Sequence, residues 1–310
     1  MKFTKLIIDS NNLFHKCFFK SDKDLRKTMI SFIKMSDYYK NMYLNLNIGE
    51  IIYCFDNPTS KLDTRKLLDS NYKDGRVRQS KEFYKTLEYL KLILINRSNN
   101  NRVIAVDFAE ADDIVKPLLE EADNRGNRIL LISEDLDWAR GLNKNVYWYA
   151  KKIVWSLDLF EEKYGFSPTA DKIIMYKTFR GDPSDKISAG LPNLREDQLL
   201  KIVADYSSIY LFLSEFEKLD YLTPTMKKKV KEYEDTLRKN YQLVNYIEMN
   251  KEVLDEYTIK TEFNRSKLKR LYQKFDINIS EVDRDLMKEF PKFIKNSANL
   301  GFSAKKPTVR

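Results

Sequence analysis

The chain has 310 residues, 43% of them hydrophobic, enough for one large domain or two ordinary ones with a real core. A mean hydropathy of -0.55, with no apolar run near the roughly 20 residues of a membrane span, argues against a membrane protein. Lys and Arg number 55 against 46 Asp and Glu, a net charge of +9, so a polyanionic partner is expected, nucleic acid ahead of membrane.

Cys17 and Cys54 are the only cysteines and lack metal-ligand spacing, which fits a reducing compartment and argues against thiolate zinc. The first twelve residues hold too short an apolar stretch for a signal peptide, so a cytoplasmic location is expected, the host's if the chain is phage-encoded. A single histidine, His15, removes most His-based catalysis and reads as structural.

Residues 5–9 read as a short buried strand ending in Asp9, followed by a turn-prone Ser-Asn-Asn at 10–12. A helical pattern covers 24–46, and 50–56 is a second buried strand, ending in Asp56. Residues 61–91 differ in character, with nine basic residues against five acids. Phe83, Leu87, Leu90 and Leu94 recur there at helical spacing, with Lys81, Lys85 and Lys91 off that stripe. Alone this is a solvated amphipathic helix with snorkelling lysines; directly after a strand that ends in a candidate ligand it reads better as a basic gateway.

The third strand, 102–107, leads to Glu110, Asp112 and Asp113 at a helix start, and Pro117 is expected to kink that helix. The fourth, 129–132, leads to Asp135 and Asp137; 146–149 and 151–155 read as short edge strands. Ser-Pro-Thr at 167–169 offers an N-cap with proline at the first helical position, and the helix stops at Gly181, presenting Asp182 and Asp185. From 186 to 290 only amphipathic helices are expected, followed by a basic tail.

Apolar strands separated by helices predict an α/β fold, a parallel sheet with helices on both faces. Any one aspartate after a strand is usually a turn former or helix cap. Several at the same sheet edge are another matter, because clustered carboxylates repel as water is excluded and are tolerable only with hard cations such as magnesium or manganese.

The ordered blocks D-S-N-N, F-D, Y-K-x-x-R, E-A-D-D, S-x-D-x-D-W and G-D-x-S-D over about residues 3–206 resemble the metal-dependent 5′ nucleases. That family comprises flap endonucleases, phage 5′-3′ exonucleases and, nearest in its irregular clamp loop, the phage ribonuclease H that removes RNA primers. The resemblance implies a PIN-like α/β nuclease domain over 1–165 with a basic arch at 61–95, a helical helix-three-turn-helix clamp over 166–290, and a tail at 291–310. It implies metal ligation by Asp9, Asp56, Glu110, Asp112, Asp113, Asp135, Asp137, Asp182 and Asp185, the last two with Asp137 around a second ion. Lys73 would touch the scissile phosphate and act with Asp135 and Asp137 in catalysis. Arg65, Tyr72, Arg76, Arg78, Lys81, Lys85 and Arg195 would join it in binding nucleic acid.

The chain departs from the family at Glu134, Leu136 and Pro117. Its clamp hairpin retains only Gly190, with Asn193 as a candidate for a left-handed turn. The last hundred residues resemble nothing nameable.

The function implied is hydrolysis at 5′ ends or flaps of DNA, and of RNA paired to DNA, by a monomer using two Mg2+ or Mn2+ ions, in primer removal during phage DNA replication. The basic tail leaves a sliding clamp or a single-strand-binding protein open as further partners; no membrane is implied. The alternatives are a catalytically inactive nucleic-acid-binding relative, disfavoured by the full set of acids, and a PIN-type single-strand ribonuclease, disfavoured by the 72–76 and 181–185 motifs.

Overall fold

The computed structural model describes residues 1–47, 49–56, 64–73, 78–123 and 127–282. Its frame is a seven-stranded sheet in the order β6-β5-β4-β1-β2-β3-β7. The strands are β1 (Lys5–Asp9), β2 (Glu50–Asp56), β3 (Arg102–Val106), β4 (Ile129–Ile132), β5 (Val146–Ala150), β6 (Ile153–Trp155) and β7 (Thr258–Lys260). The first five are mutually parallel, whereas β6 and β7 close the two edges antiparallel. Every residue of β1 and β4 is buried, because helices cover both faces.

Between the first strands run α1 (Ser10–Lys20), α2 (Leu25–Tyr43), α3 (Thr64–Leu68), α4 (Lys81–Arg97) and α5 (Ala111–Asp123). After β6 come α6 (Leu157–Tyr164), α7 (Ala170–Arg180), α8 (Glu196–Asp205), α9 (Ile209–Glu215), α10 (Pro224–Glu232), α11 (Glu234–Val244) and α12 (Lys251–Glu256). Beyond β7 lie α13 (Arg265–Lys274) and α14 (Ile279–Val282). None of the described helices is long and apolar enough to cross a membrane.

Strand side chains alternate between two cores. Leu6, Ile8, Tyr53 and Phe55 pack with Phe14 of α1, Phe32 of α2, Leu90 of α4 and Tyr272 of α13. Ile7, Ile52 and Cys54 face the other way, with Ile114 of α5, Met175 of α7, Phe212 of α9 and Leu237 of α11.

Register decides where the site can be. Asp9 sits opposite Cys54, Ile8 opposite Ile132, and Asp56 opposite Val106, so the carboxyl ends of β1 to β4 share one edge. The chain winds from β1 outward through β2 and β3, then returns to the other side of β1 as β4. A crevice therefore opens at that reversal, where open α/β sheets hold ligands.

Several expectations need correction. Residues 10–12 begin α1 rather than a turn, since Asp9 caps the helix by accepting from the Asn12 amide at 3.0 Å. The helix expected over 24–46 runs Leu25–Tyr43, and β5 lies inside the sheet, with only β6 at the edge. Pro117, by contrast, lies inside α5 where the sequence reading puts it, and the helix runs on to Asp123. α7 begins after Thr169, so Pro168 precedes the cap instead of opening the helix, and Thr169 makes no side-chain capping bond.

The region 186–290 is not helical throughout. β7 pairs with β3, and α13 buries Leu268 and Tyr272 in the core shared with β1 and β2, so this end of the proposed clamp returns to the sheet. Much of the proposed arch at 61–95 is likewise a layer of the fold, because Phe83, Leu87, Leu90, Ile93 and Leu94 of α4 are buried. The tail at 291–310 lies outside the described residues.

Candidate active site

Asp9 ends β1, and both its oxygens are engaged: Oδ1 by the Asn12 amide, Oδ2 by the Ser133 hydroxyl at 2.7 Å. Ser133 directly follows β4 and is held in turn, since its hydroxyl accepts from the Asp135 amide at 3.1 Å and its carbonyl from the Trp148 indole at 2.9 Å. Asp56 ends β2 and accepts from the Ala111 amide at 2.8 Å, which ties the start of α5 to the same edge. Asp135 caps the 3₁₀ turn Leu136–Gly141, which carries Asp137.

The 181–185 turn is delivered by α7. Gly181 ends that helix at φ 73°, and a Cβ there would stand 2.5 Å from the carbonyl oxygens of Ile187 and Ser188, so only glycine fits. Asp182 pairs its backbone with Ile187 and accepts from the Ser184 amide at 2.9 Å. The Lys73 amide donates to the Asp185 carbonyl at 2.9 Å, and the Tyr72 hydroxyl donates to the Asp185 carboxylate at 3.1 Å. The 72–73 segment is thus docked onto the turn through main chain and side chain together.

Cations interleave with these acids. Lys73 Nζ contacts Glu110 and lies 3.7 Å from Asp185. Lys177, on α7, reaches both oxygens of Asp137 and one of Asp182, all at 2.7 Å. Burial works against its charge, but Asp137 and Asp182 together outweigh that and hold the ammonium above its usual range. Arg140 is buried, bonds Asp112 at 2.8 Å and lies 3.7 Å over the Tyr246 ring. Among the described residues no three carboxylates stand in a ready-made ligand arrangement. Of the nine expected ligands, Glu110, Asp185, Asp137, Asp182 and Asp112 are thus ion-paired with Lys73, Lys177 or Arg140 rather than bare.

The electrostatics nonetheless fit a hard cation. Burial, then the neighbouring Asp56, push Asp9 well above the usual carboxylate range. Asp56 is raised to about 6 by burial and by Glu110. Asp135 keeps an open surface yet is crowded by protein on its other sides, so desolvation and Asp137 raise it to about 6. Carboxylates held at such cost, with oxygen-only donors at hand, suit magnesium or manganese.

Residues 4–165 match the family model of the 5′-3′ exonuclease N-terminal resolvase-like domain. This chain belongs to the 5′-3′ exonuclease family. A 5′-3′ exonuclease of Buchnera aphidicola (from Schizaphis graminum) is 28% identical over 205 residues, 64% of this chain and 69% of that protein. DNA polymerase I of Mycobacterium tuberculosis is 28% identical over 217 residues, 66% of this chain but 23% of the polymerase, so that likeness concerns only part of the larger enzyme. The flap endonuclease of bacteriophage T5, solved with DNA and metal ions, superposes with a TM-score of 0.58 at 17% identity, over 95% of this chain and 98% of that one. At that identity the superposition establishes the fold, an α/β sheet flanked by helices.

Within this exonuclease-family chain, Asp9, Asp56, Glu110, Asp112, Asp135, Asp137, Asp182 and Asp185 come together at or beside the sheet edge. Asp113 does not join them as a free ligand. Its carboxylate is fully buried, takes a two-pronged bond from Arg65 at 3.0 and 2.8 Å, and accepts from the Glu110 and Ile247 amides. Arg65, only 4% exposed, also donates to the carbonyls of Leu243 and Asn245, so it is a structural clasp rather than a phosphate contact. Tyr72 is 3% exposed, and its hydroxyl serves Glu110 and Asp185 instead of offering a ring to a base. Arg78, Lys81, Lys85 and Arg195 are exposed, while Arg76 lies outside the described residues.

Sequence reasoning missed Ser133, Arg140 and Lys177 as members of the site. A lysine inside the apolar run Ile173, Ile174, Met175, Phe179, and an arginine three residues after Asp137, were the available signals.

Proposed function

We propose that this chain is a divalent-metal-dependent, structure-specific 5′ nuclease that removes nucleotides or short flaps from the 5′ ends of DNA, and of RNA paired to DNA, in primer removal during phage DNA replication. What carries the reading is the set of mutually repelling acids: Asp9 and Asp56 at the carboxyl ends of β1 and β2, and Asp135 on the turn that follows β4. Family membership and the DNA and metal ions bound by the T5 flap endonuclease support it. Two Mg2+ or Mn2+ ions among these acids would activate the attacking water and relieve charge on the phosphorus.

The chain's own residues do the rest. Ser133 and the Asn12 amide orient Asp9, and Asp56 fixes the first turn of α5 so that Glu110 and Asp112 face the crevice. Arg65 and Asp113 brace that turn from behind. Lys73, held at 18% side-chain exposure beside Glu110, is placed to swing from that carboxylate to the scissile phosphate. Arg78, Lys81, Lys85 and Arg195 bind phosphates without reading sequence, so selection is by structure.

The test is cleavage of 5′-labelled flaps and nicked duplexes, with DNA or RNA as the 5′ strand, in magnesium and in a chelator. Short 5′ products that require the metal are expected, and Asp135→Asn should abolish them while substrate is still bound. Binding without cleavage would leave an inactive relative, and cleavage of free single-stranded RNA alone would leave a PIN-type ribonuclease.

A further inference from the structure

α13 carries five basic residues, Arg265, Lys267, Lys269, Arg270 and Lys274, and no acid. It runs antiparallel to α4. At one end the Asn264 amide donates to the Asn96 carbonyl at 2.9 Å and Glu262 to Ile95 at 3.0 Å. At the other, Lys274 Nζ lies 4.2 Å over the Tyr89 ring and contacts its hydroxyl, while Phe275 meets the same ring edge-on at 5.0 Å.

The buried faces set the exposed ones. Leu268 and Tyr272 point inward, which leaves Lys267, Arg270 and Lys274, spaced three and four residues apart, along one outer strip. Phe83, Leu87, Leu90 and Leu94 are buried on α4, which leaves Lys81, Lys85, Tyr89 and Leu92 outside. Lys274 contacts the Tyr89 hydroxyl and lies over its ring, and Lys85 stands one helical turn before Tyr89 on α4, so the three side chains lie side by side. One ridge results: Lys81, Lys85, Lys274, Arg270, Lys267.

At 1.5 Å per helical residue, eight residues of α4 and seven of α13 make it about 22 Å long. Lys81, Lys85, Lys267 and Arg270 carry no ion pair among the described residues; Glu88 on the outer side of α4 is taken by Lys91, and Glu82 beside Lys81 is the other exposed acid there, so the ridge keeps five cations against one neighbouring acid. The ridge starts on the active-site side of the fold, because Phe83, two residues after Lys81, packs against Phe14 at 5.0 Å and His15 at 4.7 Å between ring centroids, on the helix that Asp9 caps.

We propose that α4 and α13 together form a track for the single-stranded 5′ arm of the substrate as it leaves the active site. The choice of single strand over duplex rests on Tyr89 and on Leu92, which is 45% exposed: an aromatic and an apolar side chain among cations suit unstacked bases as well as phosphates, whereas duplex offers only backbone. The track presupposes the nuclease reading above but is tested apart from it.

The experiment uses the full chain and fluorescent flap substrates with one duplex and 5′ arms of about 2 or about 15 nucleotides, a length scale typical of single-strand sites. Affinity is measured in calcium over a potassium chloride series. The wild type should bind the long arm about ten-fold tighter. Lys267→Glu combined with Arg270→Glu should erase that gain and lower the salt slope for the long arm by about 1.4, two phosphates at roughly 0.7 each. Lys267→Arg with Arg270→Lys should keep it. A reversed-charge variant that retains the gain overturns the track, as does a wild type indifferent to arm length. Metal-dependent cleavage of the short-arm flap with length-independent binding would sink the track and spare the nuclease reading; absence of both binding and cleavage would sink the two together.

Discussion

Arg65→Ala isolates the strongest structural argument about the site. The guanidinium makes a two-pronged bond to Asp113 at 3.0 and 2.8 Å, donates to the carbonyls of Leu243 and Asn245 at 3.0 and 2.8 Å, and reaches Glu110 at 3.3 Å. Its loss leaves a fully buried carboxylate with only two amide donors and orphans two carbonyls. Breaking a buried pair from one side costs about 3–5 kcal/mol. At about 2.1 cal/mol/K per residue, a chain of 310 residues has an unfolding entropy near 0.65 kcal/mol/K, so Tm should fall by roughly 5–8 °C.

The pH dependence supplies a second check. Burial and Asp112 already push Asp113 up to about 6, against the opposing pull of Arg65, and removing Arg65 raises it further. A carboxyl whose folded pKa lies above its unfolded value costs stability as pH climbs between the two, so the deficit of the variant should be smaller at pH 5 than at pH 8. Urea unfolding followed by circular dichroism measures both. A deficit below about 1 kcal/mol together with a large loss of DNA affinity would refute the clasp and restore Arg65 as a phosphate ligand.

Gly190→Ala would place a Cβ 2.2 Å from the Thr178 carbonyl oxygen, beneath the buried Asn240 that bonds both Thr178 and Ser188, so several kcal/mol of destabilisation and a loosened 181–190 loop are expected in thermal melts. For the metal-free protein, Asp9, Asp56 and Asp135 are raised, Asp56 and Asp135 to about 6, so their contribution to stability falls as pH rises from about 4 to about 6. Tm should therefore decline across that window and recover on adding Mn2+; a Tm that climbs steadily to neutrality without metal contradicts the crowding of these acids. Lys73→Ala should lower kcat by about 100-fold with KM within a few-fold, as for other lost transition-state contacts, and an unchanged rate would make Lys73 merely a counter-ion of Glu110.

The strands that end in Asp9 and Asp56 and the strand that leads to Asp135 were legible in the sequence because a strand buried on both faces is a continuous apolar run, a pattern that needs no knowledge of its neighbours. The turn at Gly181 was legible for a similar reason, since a residue with φ 73° pressed against two carbonyls has to be glycine. Which acids face the crevice was settled only by the tertiary structure. Asp112 and Asp113 are adjacent on one helix, yet one pairs with Arg140 at the site and the other with Arg65 behind it, and those partners come from 28 and 48 residues away in sequence. β7 is likewise three residues without a pattern of their own, a strand only because the edge of β3 offers unpaired backbone. Local chemistry sets which segments must be buried or bent; the identity of a charged residue's partner depends on where the rest of the chain places an opposite charge or a carbonyl, and no local pattern records that.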